Sequence, residues 1–392
     1  MIEWTKEKII DNFLVTDFVA NGSFASLKEN VSYLKERDYA ILVRTTDNTK
    51  GWNGKYVFVS KDSYEFLKKS SLKPNDLIIA NVGDPGKAFL CPDLKQPMTL
   101  GPNSILVRSL NENKINNKFF YFYTTSKTGQ AQIEFICSAT AQKKFNKTSY
   151  RNIEIPIPPL DQQKKIAAIL DAADAYRQKT KALITKYDEL TQSLFLDMFG
   201  DETGSLTELG KVIKTVGGGT PSKDNEQYWN GSIPWASVKD LKSDRLNKTQ
   251  DFITQAGVDN SATRVIPNGS LIVATRMAVG RAAICEMDVA INQDLKAIQL
   301  IGEINITYLL YLFKSKENYF DSVSSGATVK GIKIEHITKL KVNLPEIDLQ
   351  NQFAERVQAI EAQKAQAQAS LAGAEDLFNS LLQRAFKGEL TS

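Results

Sequence analysis

Histidine is almost missing from this chain of 392 residues, where His336 stands alone. A single imidazole argues against histidine-based acid–base catalysis and is expected to be a surface or satisfied polar residue. Cysteine is nearly as scarce. Cys91, Cys137 and Cys285 are odd in number, widely scattered and form no Cys-x-x-Cys pair, so a zinc site is not expected. They read as three reduced, buried thiols of a cytosolic protein. Nothing approaches the roughly 18 apolar residues of a membrane span, and Met1-Ile2-Glu3-Trp4-Thr5-Lys6 has no apolar signal core. A soluble, cytoplasmic protein with no membrane partner is the expectation. An excess of one charge is also lacking: 49 basic against 45 acidic side chains leave +4.

Enzyme signatures fail one by one. Gly217-Gly218-Gly219-Thr220 has the glycines of a phosphate loop but not the lysine that would reach the phosphates. Pro92-Asp93 with Glu112-Asn113-Lys114 fits a loose metal-nuclease spacing, yet Glu112 lies in a polar stretch, Asn111 to Asn117, that reads as a loop. No Asn/Asp-Pro-Pro-aromatic motif and no glycine-rich methyl-donor loop is found. The chain is therefore read as non-catalytic, with no metal and no cofactor of its own.

What the chain does have is a repeat. Pro158-Pro159-Leu160-Asp161-Gln162-Gln163 recurs as Pro345-Glu346-Ile347-Asp348-Leu349-Gln350, an offset of 345 − 158 = 187. Ser193-Leu194-Phe195 pairs with Ser380-Leu381-Leu382 at the same offset, and Ser138-Ala139-Thr140 and Lys143 fall on Ser325-Gly326-Ala327 and Lys330. Each half is a globular segment followed by a helical one. The segments are 1–157, 158–203, 204–344 and 345–392. Charge follows this division. Residues 1–157 carry 22 basic and 16 acidic side chains and residues 207–344 carry 17 and 14, whereas both helical stretches are net acidic. A mild basic excess on the globular parts is compatible with nucleic acid without demanding it.

The helical stretches step by three and four. In the first the stripe is Ile166, Ile169, Ala173, Tyr176, Thr180, Leu183, Tyr187, Leu190 and Leu194. In the second it is Phe353, Val357, Ile360, Lys364, Ala367, Leu371, Ala374, Phe378, Leu381 and Ala385. This is a heptad seam, interrupted by Thr180 and Lys364 as ordinary imperfections, and two such helices are expected to pack on each other antiparallel. At about 1.5 Å per residue, 161–199 would extend on the order of 58 Å. Asp161 and Asp348 follow the prolines where a carboxylate can cap free N–H groups, and Gly200 and Gly388 are plausible stops.

The globular parts read as mixed α+β. Strands are expected at 39–43, 56–59 and 77–80, then at 270–274 and 295–298. Pro74-Asn75-Asp76-Leu77-Ile78-Ile79-Ala80 matches Pro267-Asn268-Gly269-Ser270-Leu271-Ile272-Val273-Ala274 with one insertion, and Gly86-Lys87 matches Gly280-Arg281. Such a turn joins a glycine that permits close approach to a cation that can meet phosphate. Ahead of each long helix lie Lys143-Lys144-Phe145-Asn146-Lys147 and Lys330-Gly331-Ile332-Lys333, preceded by small hydroxylated residues that include Thr328. Lys87, Lys143, Lys144, Arg276, Arg281, Thr328, Lys330 and Lys333 are thus candidate DNA contacts, the alternative being cations that are solvated or pair with nearby carboxylates such as Glu286 and Asp294. The lysines suit phosphates and Arg276 suits a bidentate guanine contact.

The sequence resembles the specificity subunit of type I restriction–modification systems along its whole length. The residues that carry the resemblance are Ile153-Glu154-Ile155-Pro156-Ile157-Pro158-Pro159-Leu160-Asp161-Gln162-Gln163, similar to the start of that family's first spacer helix. Gly218-Gly219-Thr220-Pro221-Ser222, Tyr228-Trp229-Asn230-Gly231-Ser232-Ile233-Pro234-Trp235 and Asn292-Gln293 add to it. Thr220, Ser222 and Lys223 join the candidate DNA contacts on this ground. The resemblance implies two target-recognition domains separated by two long antiparallel coiled-coil helices with pseudo-twofold symmetry, each domain reading half of a bipartite double-stranded DNA target. It implies docking of two adenine-N6 methyltransferase subunits and of two ATP-dependent restriction subunits, with S-adenosylmethionine, ATP and Mg belonging to those partners. The first half departs from the pattern: Asn21-Gly22-Ser23-Phe24-Ala25-Ser26 stands where the Gly-Gly-Thr-Pro-Ser start would be, so unlike half-sites are expected. The alternative is a non-enzymatic protein-interaction scaffold with two binding domains on a coiled-coil spacer.

Overall fold

The computed structural model describes residues 4–138, 142–200, 206–326 and 328–390. Ala139, Thr140, Ala327 and the expected boundary at 203/204 lie outside them. The chain forms two compact units: 1–180 with 370–392, and 181–369. Each unit therefore holds one globular part, one half of its own long helix and one half of the other.

Both units are built the same way, in three layers. In the first, a four-stranded antiparallel sheet has the order Phe13–Asp17, Ser104–Ser109, Leu77–Ala80, Ala88–Leu90. A second sheet has the order Val57–Val59, Ala40–Val43, Met98–Leu100, Ser71–Leu72, with only its middle pair parallel. The second unit repeats both. Ile213–Gly217, Leu295–Leu300, Leu271–Ala274 and Ala282–Cys285 form one sheet, extended by Arg245–Leu246. Asp251–Ile253, Trp229–Ala236, Val289–Ile291 and Val265–Ile266 form the other, again with only the middle pair parallel. The unlike start of the first half thus leads into the same topology.

The apolar runs Leu77–Ala80 and Leu271–Ala274 are buried on both faces, as strands covered from two sides must be. Leu77 and Ile79 pack with Phe120 and Tyr123 of the helical layer, while Ile78 packs with Ile41, Val43 and Met98 of the other sheet. Leu271 and Val273 likewise meet Leu309, Leu312 and Phe313, and Ile272 and Ala274 meet Ala236 and Ile291. The clasp Lys6–Lys8 with Glu154–Pro156 recurs as Leu206–Glu208 with Lys341–Asn343.

The long helices are Leu160–Phe199 and Ile347–Phe386. Inside the first unit Ile166, Ala167 and Leu170 pack with Phe378, Leu382, Ala385 and the domain's own Phe119 and Phe122. Inside the second, Phe195 packs with Phe353 and Val357 and with Tyr308 and Tyr311. Both pairings run antiparallel. On the second helix the seam follows the heptad reading: Phe353, Val357, Ala367, Ala374, Phe378 and Ala385 are buried, with Ile360, Leu371 and Leu381 half-buried beside them.

On the first helix the stripe needs correction. Ile166 is buried and Ala173 and Leu194 half-buried, but Ile169 (37% exposed), Tyr176 (53%), Leu183 (43%) and Leu190 (50%) stand off the seam. The packed positions are Leu170, Arg177, Thr180, Ile184, Tyr187 and Thr191. The two threonines can occupy them because their hydroxyls are satisfied locally, whereas the Arg177 Nε is buried without a hydrogen-bond partner. The Thr180 and Thr191 hydroxyls each donate to the carbonyl one turn back at 2.9 Å, and the Arg177 guanidinium lies 4.3 Å from the centre of the Phe378 ring. Tyr176 keeps one tie, its hydroxyl 2.8 Å from that of Ser370. Lys364 is no interruption, since its stem is half-buried and its ammonium pairs with Asp188.

Three smaller expectations also change. Asp161 and Asp348 lie inside the first helical turn and not at the cap. The helix starts are instead tied by buried glutamines. Gln163 accepts from the Asn116 N–H at 2.9 Å and donates to the Lys114 and Pro158 carbonyls, both at 2.8 Å. Gln350 accepts from the Asn305 N–H and donates to the Pro345 carbonyl, both at 2.8 Å. Asn116 and Asn305 in turn cap the helices Asn117–Thr125 and Ile306–Ser315. Cys91 and Cys285 are buried, and burial pushes both thiols up to about 12, but Cys137 is only half-buried. His336 is half-buried with its Nδ1 enclosed and without a partner, so it is neither a surface nor a satisfied residue. No helix among the described residues is long and apolar enough to cross a membrane.

Candidate nucleic-acid interface

The turn after each central strand is closed in the same manner. The Gly86 N–H donates to the Ala80 carbonyl and the Ala80 N–H to the Lys87 carbonyl, both at 2.9 Å. In the second unit the Gly280 N–H donates to the Ala274 carbonyl at 2.9 Å and the Ala274 N–H to the Arg281 carbonyl at 2.8 Å. Gly280 has φ +80°, and a Cβ there would lie 2.6 Å from the Phe320 ring, so the turn requires glycine twice over.

The basic loop ahead of each long helix is hydrogen-bonded to this turn. Val82 bridges Lys144 and Arg276 bridges Gly331; the turn partners differ by 276 − 82 = 194 and the loop partners by 331 − 144 = 187. The Phe145 N–H donates to the Asn81 carbonyl at 3.1 Å, and the Ile332 N–H to the Thr275 carbonyl at 2.9 Å. The fold therefore gathers Lys87, Lys143 and Lys144 at one exposed edge of the first unit. In the second it gathers Arg276 and Lys330, with Thr328 and Lys333 exposed on the same loop.

Four of these cations have side-chain partners. Lys143 pairs with Glu134 and Lys330 with Asp321, and both members of the pair are related by 187 (330 − 143 and 321 − 134). Hydrogen bonding to Glu134 raises the Lys143 ammonium above its ordinary range. Arg276 lies 3.3 Å from Asp294 and stays more than half exposed, and the Lys87 ammonium donates to the Thr49 hydroxyl at 3.2 Å. Arg281 donates to the Leu241 carbonyl at 3.2 Å.

In the second unit the Arg276 turn borders a cleft of about 700 Å³ lined by Thr220, Lys223, Trp229, Met277 and Gln293. The glycine run reaches it because Gly219 packs flat: its N–H donates to the Ile291 carbonyl at 3.0 Å, and its carbonyl accepts from Trp235 Nε1 at 3.1 Å. A Cβ there would meet the Ala262 backbone at 2.6 Å. The Thr220 hydroxyl donates to the Gln293 side-chain oxygen, and the Ser222 carbonyl accepts from Trp229 Nε1 at 3.0 Å. The Ser222 and Lys223 side chains are exposed at the rim. Sequence reasoning missed Met277 as a lining residue and the acids Glu134 and Asp321, and met Gln293 only as part of the Asn292-Gln293 resemblance. The acids were findable, since they obey the 187 offset; Met277 was not, since nothing in its neighbours marks it.

The profile of the family described as type I restriction modification DNA specificity domain matches residues 15–190 and again 201–371, one copy for each half of the repeat. The chain belongs to this family. Among its relatives is the EcoR124I/EcoR124II specificity subunit of Escherichia coli, 28% identical over 269 residues that cover 64% of each chain. The chain thus spans just under two thirds of that relative. The EcoBI specificity subunit of Escherichia coli is 24% identical across 96% of this chain and 85% of its own. A specificity subunit of Methanocaldococcus jannaschii, MjaX, is 23% identical over 92% and 87%. The fold is shared with the crystal structure of the S subunit from M. genitalium, with a TM-score of 0.55 at 16% identity over 98% and 96% of the two chains. A chain from a study of type I restriction–modification complex assembly gives 0.60 at 17% identity, covering 99% and 98%.

Proposed function

We propose that this chain is the sequence-reading subunit of a type I restriction–modification complex, each unit contacting one half of a bipartite double-stranded DNA target. The observation that carries the reading is the repeated edge: a glycine turn bridged to a basic loop, with an acid-held lysine, at equivalent places in both family-matched halves. Lys87, Lys143, Lys144, Lys330 and Lys333 supply phosphate contacts; Thr220, Ser222, Lys223, Arg276 and Thr328 approach base edges. Arg281 takes a supporting place through Leu241. The segments 1–157, 158–203, 204–344 and 345–392 act as two reading domains and two spacers.

Catalysis belongs to the partners: two adenine-N6 methyltransferase subunits with S-adenosylmethionine, and two restriction subunits with ATP and Mg, in the cytoplasm. The exposed row Ile169, Tyr176, Leu183 and Leu190, spaced by seven on one helix, supports docking of methyltransferase helices. Methylome sequencing of cells carrying this chain and its cognate methyltransferase tests the reading. A two-part motif with unlike halves is expected; methylation without sequence preference, or none that depends on this chain, refutes it. A protein scaffold would show no steep salt dependence of duplex affinity, whereas several phosphate contacts require one.

A further inference from the structure

The edge that gathers Lys87 and Lys144 in the first unit borders a hollow of about 590 Å³, walled by Phe18, Phe24, Leu27, Val31, Tyr33 and Val82. It occupies the same place in the repeat as the cleft of the second unit. The Asn81 N–H donates to the Asn103 carbonyl at 3.1 Å as the Thr275 N–H does to the Asp294 carbonyl at 2.8 Å, and both loops line their respective depressions. The two differ in chemistry at the turn, although the first also keeps Asp17, Asn81 and Asn103 in its lining and the second Trp229 and Met277. Val82 stands where the second unit has Arg276, and Gly83 where it has Met277, at 277 − 83 = 194, both left-handed with φ +86° and +66°. Phe24 is 84% exposed and Tyr33 55%, so both of these lining side chains are largely open to solvent.

We propose that the first unit reads its half-site through thymine 5-methyl groups seated against this apolar wall, while the second reads through hydrogen bonds from Arg276 and Gln293. The proposal rests on the DNA-reading function above. In the major groove only the thymine methyl offers an apolar handle, and guanine and adenine present the acceptors and donors that Arg and Gln match. The exposed cations Lys28 and Lys87 at or beside the hollow fit a phosphate-flanked occupant, which argues for duplex DNA over an uncharged ligand.

The test uses the full chain with its methyltransferase and a duplex carrying the motif found by methylome sequencing, with thymines replaced by uracil in one half at a time. Uracil keeps every hydrogen bond and removes only the methyl. Loss of about fourfold in affinity per methyl contacted is expected in one half only. That loss should vanish in Phe24→Ala, a substitution at a solvent-exposed side chain that leaves folding intact. The same variant should relax base choice in that half and leave the other half as it was. Tight, sequence-specific binding that ignores uracil in both halves overturns the proposal while the DNA-reading function stands, as does a uracil effect that survives Phe24→Ala or a half-site without thymine. Absence of any sequence-specific binding removes both.

Discussion

Lys143 and Lys330 of the reading edge are each held by an acid on the helix before their loop, and this pair recurs in both repeats. An exposed ion pair contributes little to folding, so its retention points to placement of the lysine. The acid also competes with phosphate. Glu134→Gln and Asp321→Asn should each raise affinity for non-cognate duplex and leave the melting temperature unchanged, read by titration at several salt concentrations. Lys330→Ala should weaken cognate and scrambled duplex alike and lower the salt slope by about 1. Arg276 behaves differently, because Asp294 orients a planar group that can pair with one base. Arg276→Ala should cost about 1–3 kcal/mol on the cognate site and relax one position of the motif, measured against duplexes substituted base by base.

At the scale of elements, the start of each long helix depends on one buried amide. Gln163 and Gln350 bond both the loop before their helix and the N–H of the asparagine that caps a domain helix. Gln163→Ala or Gln350→Ala leaves that N–H and a buried carbonyl unpaired, and should cost about 1–3 kcal/mol in denaturant unfolding, whereas Gln162→Ala should cost less. The two helices are also the expected ruler between half-sites. A heptad inserted near Ala173-Asp174, matched by one near Ala374, adds about 10 Å of helix, or roughly three base pairs of DNA. The unspecified gap of the methylated motif should grow accordingly; a gap that stays fixed shows that the helices do not set it.

For the molecule as a whole, the repeat makes the halves interchangeable in principle. Each unit has its own sheets and its own core, and the family profile matches each separately. Replacing residues 207–340 by the corresponding part of a relative should change one half of the methylation motif and leave the other intact. A change in both halves would show that the units do not read independently. The compact units do not coincide with globular part plus following helix, because each takes in the end of the other half's helix. A replacement should therefore keep Phe195, Phe353 and Val357, whose rings and branches complete the second unit's core.

The sequence by itself determined the repeat, the two long helices, the mixed α+β class and the family. These follow from local spacing: a period of three and four, apolar strand runs, and a motif that returns after 187 residues. It also marked the glycine turns and the basic loops, because glycine and lysine are conspicuous wherever they stand. Only the tertiary structure decided which face of the first helix is the seam. Hydrophobicity pointed to Ile169, Tyr176, Leu183 and Leu190 along with Thr180 and Tyr187, yet packing left the first four exposed and took up Arg177, Ile184 and Thr191 instead. Tertiary structure alone also joined turn to loop and brought Thr220 to Gln293. Contacts between residues tens of positions apart depend on strand order and crossover, which local patterns do not encode.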